Sequence, residues 1–177
     1  MGSIRIPTLL LLLIAFSTVA AAELVPCFTP GEDCTAFVVQ EIDGAVGELL
    51  VQGYSLTSPP ILEAIARAKE RGVDVKVILD RQNEQKRHAG ATYLVNHGIT
   101  PLIDDQVSKA SNMVMVIDRR DVITGSFDFT KVAQERNAEN VLLINDDPVL
   151  AAAYTTNWEQ RAAVSRPLRD LRGSRRP

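Results

Sequence analysis

The stretch SNMVMVIDRRDVITGSFDFT, residues 111–130, decides the fold. Within it NMVMVID (112–118) has the β-branched and sulfur-containing run of a buried strand. RRD then makes a turn, and VITG (122–125) is the next strand. Two strands this close in sequence pair antiparallel, because a parallel pair needs a crossover of a dozen or more residues. Upstream the spacing is longer. ELLVQGYS (48–55) is a short apolar strand, Ser58 caps a helix with Pro59 at its first position, and Gly72 ends that helix. DVKVILD (74–80) is a strand, RQNEQKRH (81–88) a polar loop or frayed helix, and ATYLVNHG (91–98) the end of another helix. ITPLID (99–104) is a third strand that Pro101 places near an edge or starts late. This strand–helix–strand order predicts parallel pairing with right-handed crossovers.

Further elements lie outside these. AFVVQEIDGA (36–45) has helical spacing, with Thr35 placed to cap it. NVLLIN (140–145) is a strand, and Asp147–Pro148 opens a last helix with Leu150, Tyr154 and Trp158 along one face. The predicted fold class is α/β, a mixed β-sheet flanked by helices, without internal repeats.

Met1 to Ala22 reads as a signal peptide: Arg5, the apolar run Leu9–Phe16, then Ala20 and Ala22 at the small-residue positions of a cleavage site. The apolar run is short for an uncleaved membrane anchor. The expected product is therefore secreted or periplasmic, with one domain over 23–163 and an Arg-rich, disordered tail over 164–177. Removing Arg5 leaves 18 basic and 22 acidic residues, a net charge of −4. Residues 161–177 hold six arginines against Asp170, or +5, so the body carries −9. An acidic body does not attract polyanions through its overall field, and anion binding would need a local site or the tail. The tail has no aromatic residue for base stacking. Cys27 and Cys34 in CFTPGEDC follow the signal, and a disulfide is expected. A metal site without a nearby His, or a reactive thiol pair without C-x-x-C spacing, are the alternatives.

Residues 111–130 resemble the motif of the phospholipase D superfamily, H-x-K-x4-D-x6-G-S-x-N, with Asp118, Gly125 and Ser126 at matching positions. GYSLTSPPILEAIARAKERGVDVKVILD (53–80) and ERNAENVLLI (135–144) resemble the segments around that motif. CFTPGEDC and YTTNW (154–158) resemble the small, secreted, single-motif, nuclease-like branch. The resemblance implies metal-free phosphodiester cleavage without a cofactor. One motif His attacks phosphorus, a second His protonates the leaving oxygen, and the Lys and Asn hold phosphate oxygens. It also implies a homodimer that brings two motifs together.

The chain departs from this pattern where the chemistry is done. Ser111 and Met113 stand at the His and Lys positions, and Asp128 at the Asn position. H-x-K spacing puts both side chains on one strand face. A serine without a base is a weak nucleophile, and Met113 offers neither charge nor donor. Asp128 adds negative charge beside the phosphate site unless it is protonated. A homodimer repeats the loss, and an intact relative as heterodimer partner supplies one His of two. Lys109 shares the parity of Ser111 and Met113 and would serve as the cation only if the register slipped. By family position Ser126, Asp128 and Glu139 would contact substrate, and Asp118 and Glu139 are supporting acids; a turn-stabilising Asp118 and a hydrogen-bonded Glu139 are the structural alternative. His88 and His97 lie outside the motif, the latter near a helix end. These residues lead to three readings: a phosphodiesterase-like domain with impaired catalysis, an active phosphodiesterase with a rearranged site, or a non-catalytic envelope interaction protein. The ligand classes are nucleic acid and phospholipid headgroups.

Overall fold

A computed structural model describes residues 22–85 and 89–169. The expected signal segment (all but Ala22), His88 and the tail beyond 169 lie outside the described residues. The elements are β1 (Glu23–Thr29), α1 (Cys34–Gly44), β2 (Glu48–Gly53), α2 (Pro59–Glu70), β3 (Asp74–Asp80), α3 (Gln82–Gln85) and α4 (Ala89–Asn96). There follow β4 (Leu102–Asp104), β5 (Val114–Ile117), β6 (Asp121–Gly125), α5 (Lys131–Arg136), β7 (Glu139–Asn145), α6 (Pro148–Val164) and β8 (Arg166–Pro167). They form one eight-stranded sheet in the order β1-β7-β6-β5-β2-β3-β4-β8. As the loop lengths predict, β2–β3 and β3–β4 are parallel, and β2–β5, β5–β6 and β6–β7 are antiparallel.

The alternation of β5 divides the apolar residues between two cores. Met113, Met115 and Ile117 join the larger one with Val38, Ile42, Ile61 and Ile65 of α1 and α2. Val114 and Val116 face the other way, into a smaller cluster with Leu50, Ile78, Val122, Ile144 and Trp158 of α6. The Trp158 indole N–H donates to the Val51 carbonyl at 3.0 Å and fixes α6 on the sheet.

Several ends differ from expectation. α1 is capped by Asp33, which accepts from Ala36 N at 2.9 Å, and not by Thr35. Ser58 sits at the N-cap of α2 without a side-chain capping bond, whereas Asp147 caps α6 through Leu150 N. β4 does begin after Pro101. β1 and α5 were not expected. Pro26 masks β1, yet its neighbours alternate: Leu24 and Phe28 are exposed, Cys27 and Thr29 buried. α5 is only six residues and shows little periodicity.

The chain end is ordered further than the sequence implies. Val164 still belongs to α6, and Arg166–Pro167 pair with Leu102 and Ile103 of β4. Three ion pairs explain it. Asp104 is fully buried, and Arg161 grips it at 2.6 and 2.8 Å. Arg166 donates to Glu84 of α3 and Asp105 after β4. A buried carboxylate needs such a partner, so the chain end is drawn to the β4 edge. Cys27 and Cys34 form the expected disulfide. Glu32 lies beside them, but sulfurs bonded to each other are not thiolate ligands. Among the described residues no helix is long and apolar enough to cross a membrane.

Asp118 terminates β5 in a left-handed conformation, φ 52°. Its carboxylate accepts from the amides of Val46 (3.0 Å), Gly47 (2.7 Å) and Glu48 (2.9 Å). Burial raises its pKa, but these amides outweigh burial and the net direction is down. Asp118→Ala is expected to destabilise the fold by about 2–4 kcal/mol, from lost charge-assisted bonds plus a positive φ that alanine tolerates poorly. Asp118→Asn should cost less, since Asn accepts both φ and one amide. Urea denaturation of both variants checks the ranking; equal losses would mean that the carboxylate charge and the turn conformation are not what holds this end of β5.

Candidate functional site

The pairing pattern brings the ends of six strands to one rim of the sheet. These are the carboxyl ends of β2, β3, β4 and β6 and the amino ends of β5 and β7. In open α/β sheets such a rim is where ligands bind. Ser111 and Met113 precede β5 there, Ser126 and Asp128 follow β6, and Glu139 opens β7. Asp118 is at the opposite end of β5. Seven residues of extended chain put it roughly 20 Å away. The catalytic assignment implied by its motif position is therefore corrected to the structural one, a turn clamp.

Ser126 and Glu139 are brought together. The Ser126 hydroxyl donates to Glu139 Oε2 at 2.6 Å, and Asn137 Nδ2 donates to Oε1 at 2.8 Å. Ser126 Oγ also accepts from the Asn140 backbone N–H at 3.1 Å and side-chain amide at 3.2 Å. Both Glu139 oxygens are thus engaged, in keeping with its hydrogen-bonded structural alternative. Gly125 makes the approach feasible: its φ is +154°, and a Cβ there would lie 2.1 Å from the Asn140 carbonyl oxygen. No other residue fits without moving β7.

Asp128 is half-buried on the neighbouring loop. That loop is tied to the start of α2 by Phe129, whose carbonyl accepts from Thr57 N and Ser58 N at 2.9 Å each. Burial raises the Asp128 pKa, the Glu139 charge raises it further, and Lys109 opposes both. Lys109 does approach the site without any slip of register. Its ammonium lies 4.2 Å from the centre of the Tyr54 ring, a cation–π contact.

Met113 is 8 % exposed and packs in the larger core. Ser111 is exposed, and its side chain makes no hydrogen bond among the described residues. Ser111, Met113 and Gly125 border a common cavity. His97 is used within its own helix, with Nδ1 2.8 Å from the Tyr93 carbonyl and the two rings stacked at 4.1 Å.

Comparison with known proteins bears on this rim. The family described as "Cardiolipin synthase, PLD-like domain" matches residues 38–162. The chain belongs to the phospholipase D superfamily. It is 42 % identical over 137 residues to a phospholipase D of Rickettsia typhi, covering 77 % of this chain and 67 % of that protein. It is 27 % identical over 139 residues to the human mitochondrial cardiolipin hydrolase, covering 76 % of this chain and 55 % of that one. The crystal structure of Nuc from Salmonella typhimurium, a phospholipase D family member, superposes with a TM-score of 0.80 at 32 % identity. That match covers 84 % of this chain and 99 % of Nuc. NucT from Helicobacter pylori, at 20 % identity and a TM-score of 0.74 over 82 % of this chain and 99 % of NucT, shares the fold. The domain is thus of the superfamily's phosphodiesterase-like type, on the mixed sheet expected from sequence.

Sequence reasoning missed Gln52, Asn112 and Thr124, a polar set beside the motif. The signal was present: Gln52 is the one polar residue after the opening Glu48 in ELLVQG, and Asn112 has the parity opposite to Ser111 and Met113.

Asp128 generates a pH prediction. Its folded pKa is raised, so the native state holds the proton more tightly than the unfolded chain. Stability from this group is full at low pH and is lost as pH rises from about 4, the unfolded value, through the raised folded value. Asp128→Asn lacks this loss. Its stability relative to the parent chain is expected to rise with pH over that window and then level off. Denaturant titrations across the acidic range to neutrality measure it, and a difference that stays flat with pH overturns the assignment.

Proposed function

We propose that this chain is an exported phosphodiester-binding domain of the phospholipase D superfamily whose own cleavage activity is lost or strongly weakened. The observation that carries this reading is the environment of positions 111 and 113. A side chain that packs as apolar core, Met113, stands where the family places a phosphate-holding lysine. Ser111 has no histidine or other base bonded to it. A phosphorane's growing charge needs preorganised donors, and each missing donor costs several kcal/mol at the transition state. Loss of nucleophile, acid and cation together removes the ordinary route. What remains at the rim is a set of hydrogen-bonding groups suited to holding a ligand without cleaving it.

The same reading includes a homodimer, by analogy with single-motif relatives, or a heterodimer with an intact relative. It is supported by apolar surface on β1, where Leu24 is 61 % and Phe28 55 % exposed. Export is supported by the leader-like first 22 residues and by the disulfide.

A second reading, an active enzyme with a rearranged site, is favoured by Lys109, a cation that interacts with Asp128 at the rim. It also leaves Ser111 as the nucleophile. The two readings separate in a metal-free assay on bis(4-nitrophenyl) phosphate. The impaired reading expects background turnover that Ser111→Ala does not change. Cleavage abolished by Ser111→Ala would overturn it. Reversion at three positions, Ser111→His, Met113→Lys and Asp128→Asn, is expected to raise turnover by about 100-fold or more over the parent. The Lys stem can replace Met113 in the core while its ammonium reaches the rim. A folded triple variant that stays at background shows that more than these three positions has been lost.

A further inference from the structure

The chain's two cysteines close the turn between β1 and α1. A third group able to hold a metal stands beside them. The two sulfurs and a carboxylate oxygen of Glu32 all lie within 4.8 Å of one another. Among the described residues this is the one group of three Cys, His, Asp or Glu side chains that meets so closely. While the sulfurs are bonded to each other they are not thiolate ligands. Reduction changes that. A small-molecule dithiol delivers two electrons and two protons to the bond, which yields two thiols and leaves the reductant as its own disulfide. A divalent ion that displaces the two thiol protons then meets two thiolates and a carboxylate.

The turn is held by contacts other than the S–S bond. Glu32 N donates to the Phe28 carbonyl at 3.1 Å, and Phe28 N donates to Glu32 Oε2 at 2.6 Å. The Gln134 side chain on α5 donates to Glu32 O and accepts from Thr35 N, both at 2.9 Å. Asp33 caps α1 just before Cys34. Cys27 is fixed from the other side, in the β1–β7 ladder opposite Val141. The cysteine Cα atoms are 5.7 Å apart, and these contacts keep them close when the bond opens. Two thiolates on one tetrahedral ion sit roughly 3.8 Å apart, given metal–sulfur distances of about 2.3 Å. Small rotations of both side chains reach that separation.

The donor set also selects the ion. Cys34 is the first residue of α1, and the helix dipole favours a thiolate there. Glu32 Oε1 makes no hydrogen bond among the described residues. Both cysteines are buried and Glu32 is exposed, so a bound ion lies on the outer side of the turn with its fourth position open to water. Sulfur donors suit Zn2+, whereas Mg2+ and Ca2+ take shells of oxygen. The turn matters to the rim because Thr29, two residues after Cys27, accepts from Glu139 N at 3.1 Å and donates to Asn137 O at 3.0 Å.

We propose that the reduced chain binds one Zn2+ ion through Cys27, Cys34 and Glu32, so that a metal closes the β1–α1 turn before oxidation and the disulfide closes it afterwards. Co2+, a spectroscopic substitute for Zn2+, tests this on the full chain, reduced with a dithiol and desalted without oxygen. One equivalent of Co2+ is expected to give the near-ultraviolet absorption of cobalt–thiolate bonds, and Zn2+ to bleach it. The oxidised chain is expected to give none. Zn2+ is expected to raise the thermal midpoint of the reduced chain and not that of the oxidised one. Glu32→Gln keeps an acceptor for Phe28 N and both cysteines. It is expected to weaken Zn2+ binding by ten-fold or more, at least the loss that follows removal of a group supporting a metal ligand. A reduced chain that keeps its circular dichroism but gives no cobalt–thiolate band overturns the proposal. So does a stoichiometry of two chains per ion, or an affinity that Glu32→Gln does not change. A reduced chain that unfolds and is not restored by Zn2+ to the circular dichroism of the oxidised chain overturns it as well.

Discussion

The register of β5 between β2 and β6 is the constraint on which the molecule depends. Leu50 opposes Val116, and Val116 opposes Val122. This pairing sends Met115 and Ile117 into the core beneath α1 and α2, and Val114 and Val116 beneath α6. A slip of one residue would exchange the faces of the whole strand. Both ends of β5 are held. At one end Asp118 gathers the amides of Val46, Gly47 and Glu48 where β2 begins. At the other, Ala110 N donates to the buried Asp80 carboxylate at 2.8 Å, which ties the approach to β5 to the end of β3.

The two faces of that strand carry different chemistry at the rim. The odd-numbered side carries Met113 and, following its parity, Ser111, at the positions the superfamily uses for His and Lys. The even-numbered side carries Asn112 beside Gln52. Charge is likewise divided. Glu139 and Lys109 act on Asp128 in opposite directions, while no charged side chain lines the cavity on the α6 side of the rim.

Much of this was readable before the structure. Strand spacing decided parallel against antiparallel pairing, because loop length limits the connection. Asp74–Asp80 was bounded correctly, since Gly72 and the polar run after it punctuate both sides. Family position assigned Ser126 and Glu139 to one site, and they are hydrogen-bonded there. What escaped the sequence depended on long-range pairs. β1 is identified only by β7, its partner more than a hundred residues away. The ordered chain end depends on Arg161 meeting Asp104, 57 residues earlier. Motif position placed Asp118 among catalytic residues, but a linear pattern does not say which end of a strand faces the ligand.

The edges of the sheet have a consequence of their own. An exposed strand edge is a template for adding another strand. Here one outer strand, β8, is the chain's own last described element, two residues long and flanked by ion pairs. The other, β1, carries Pro26, which lacks an N–H, and is stapled to α1 through Cys27. Lateral growth of the sheet is obstructed at both ends. Strand addition, which would run on from copy to copy, is therefore disfavoured at both described edges.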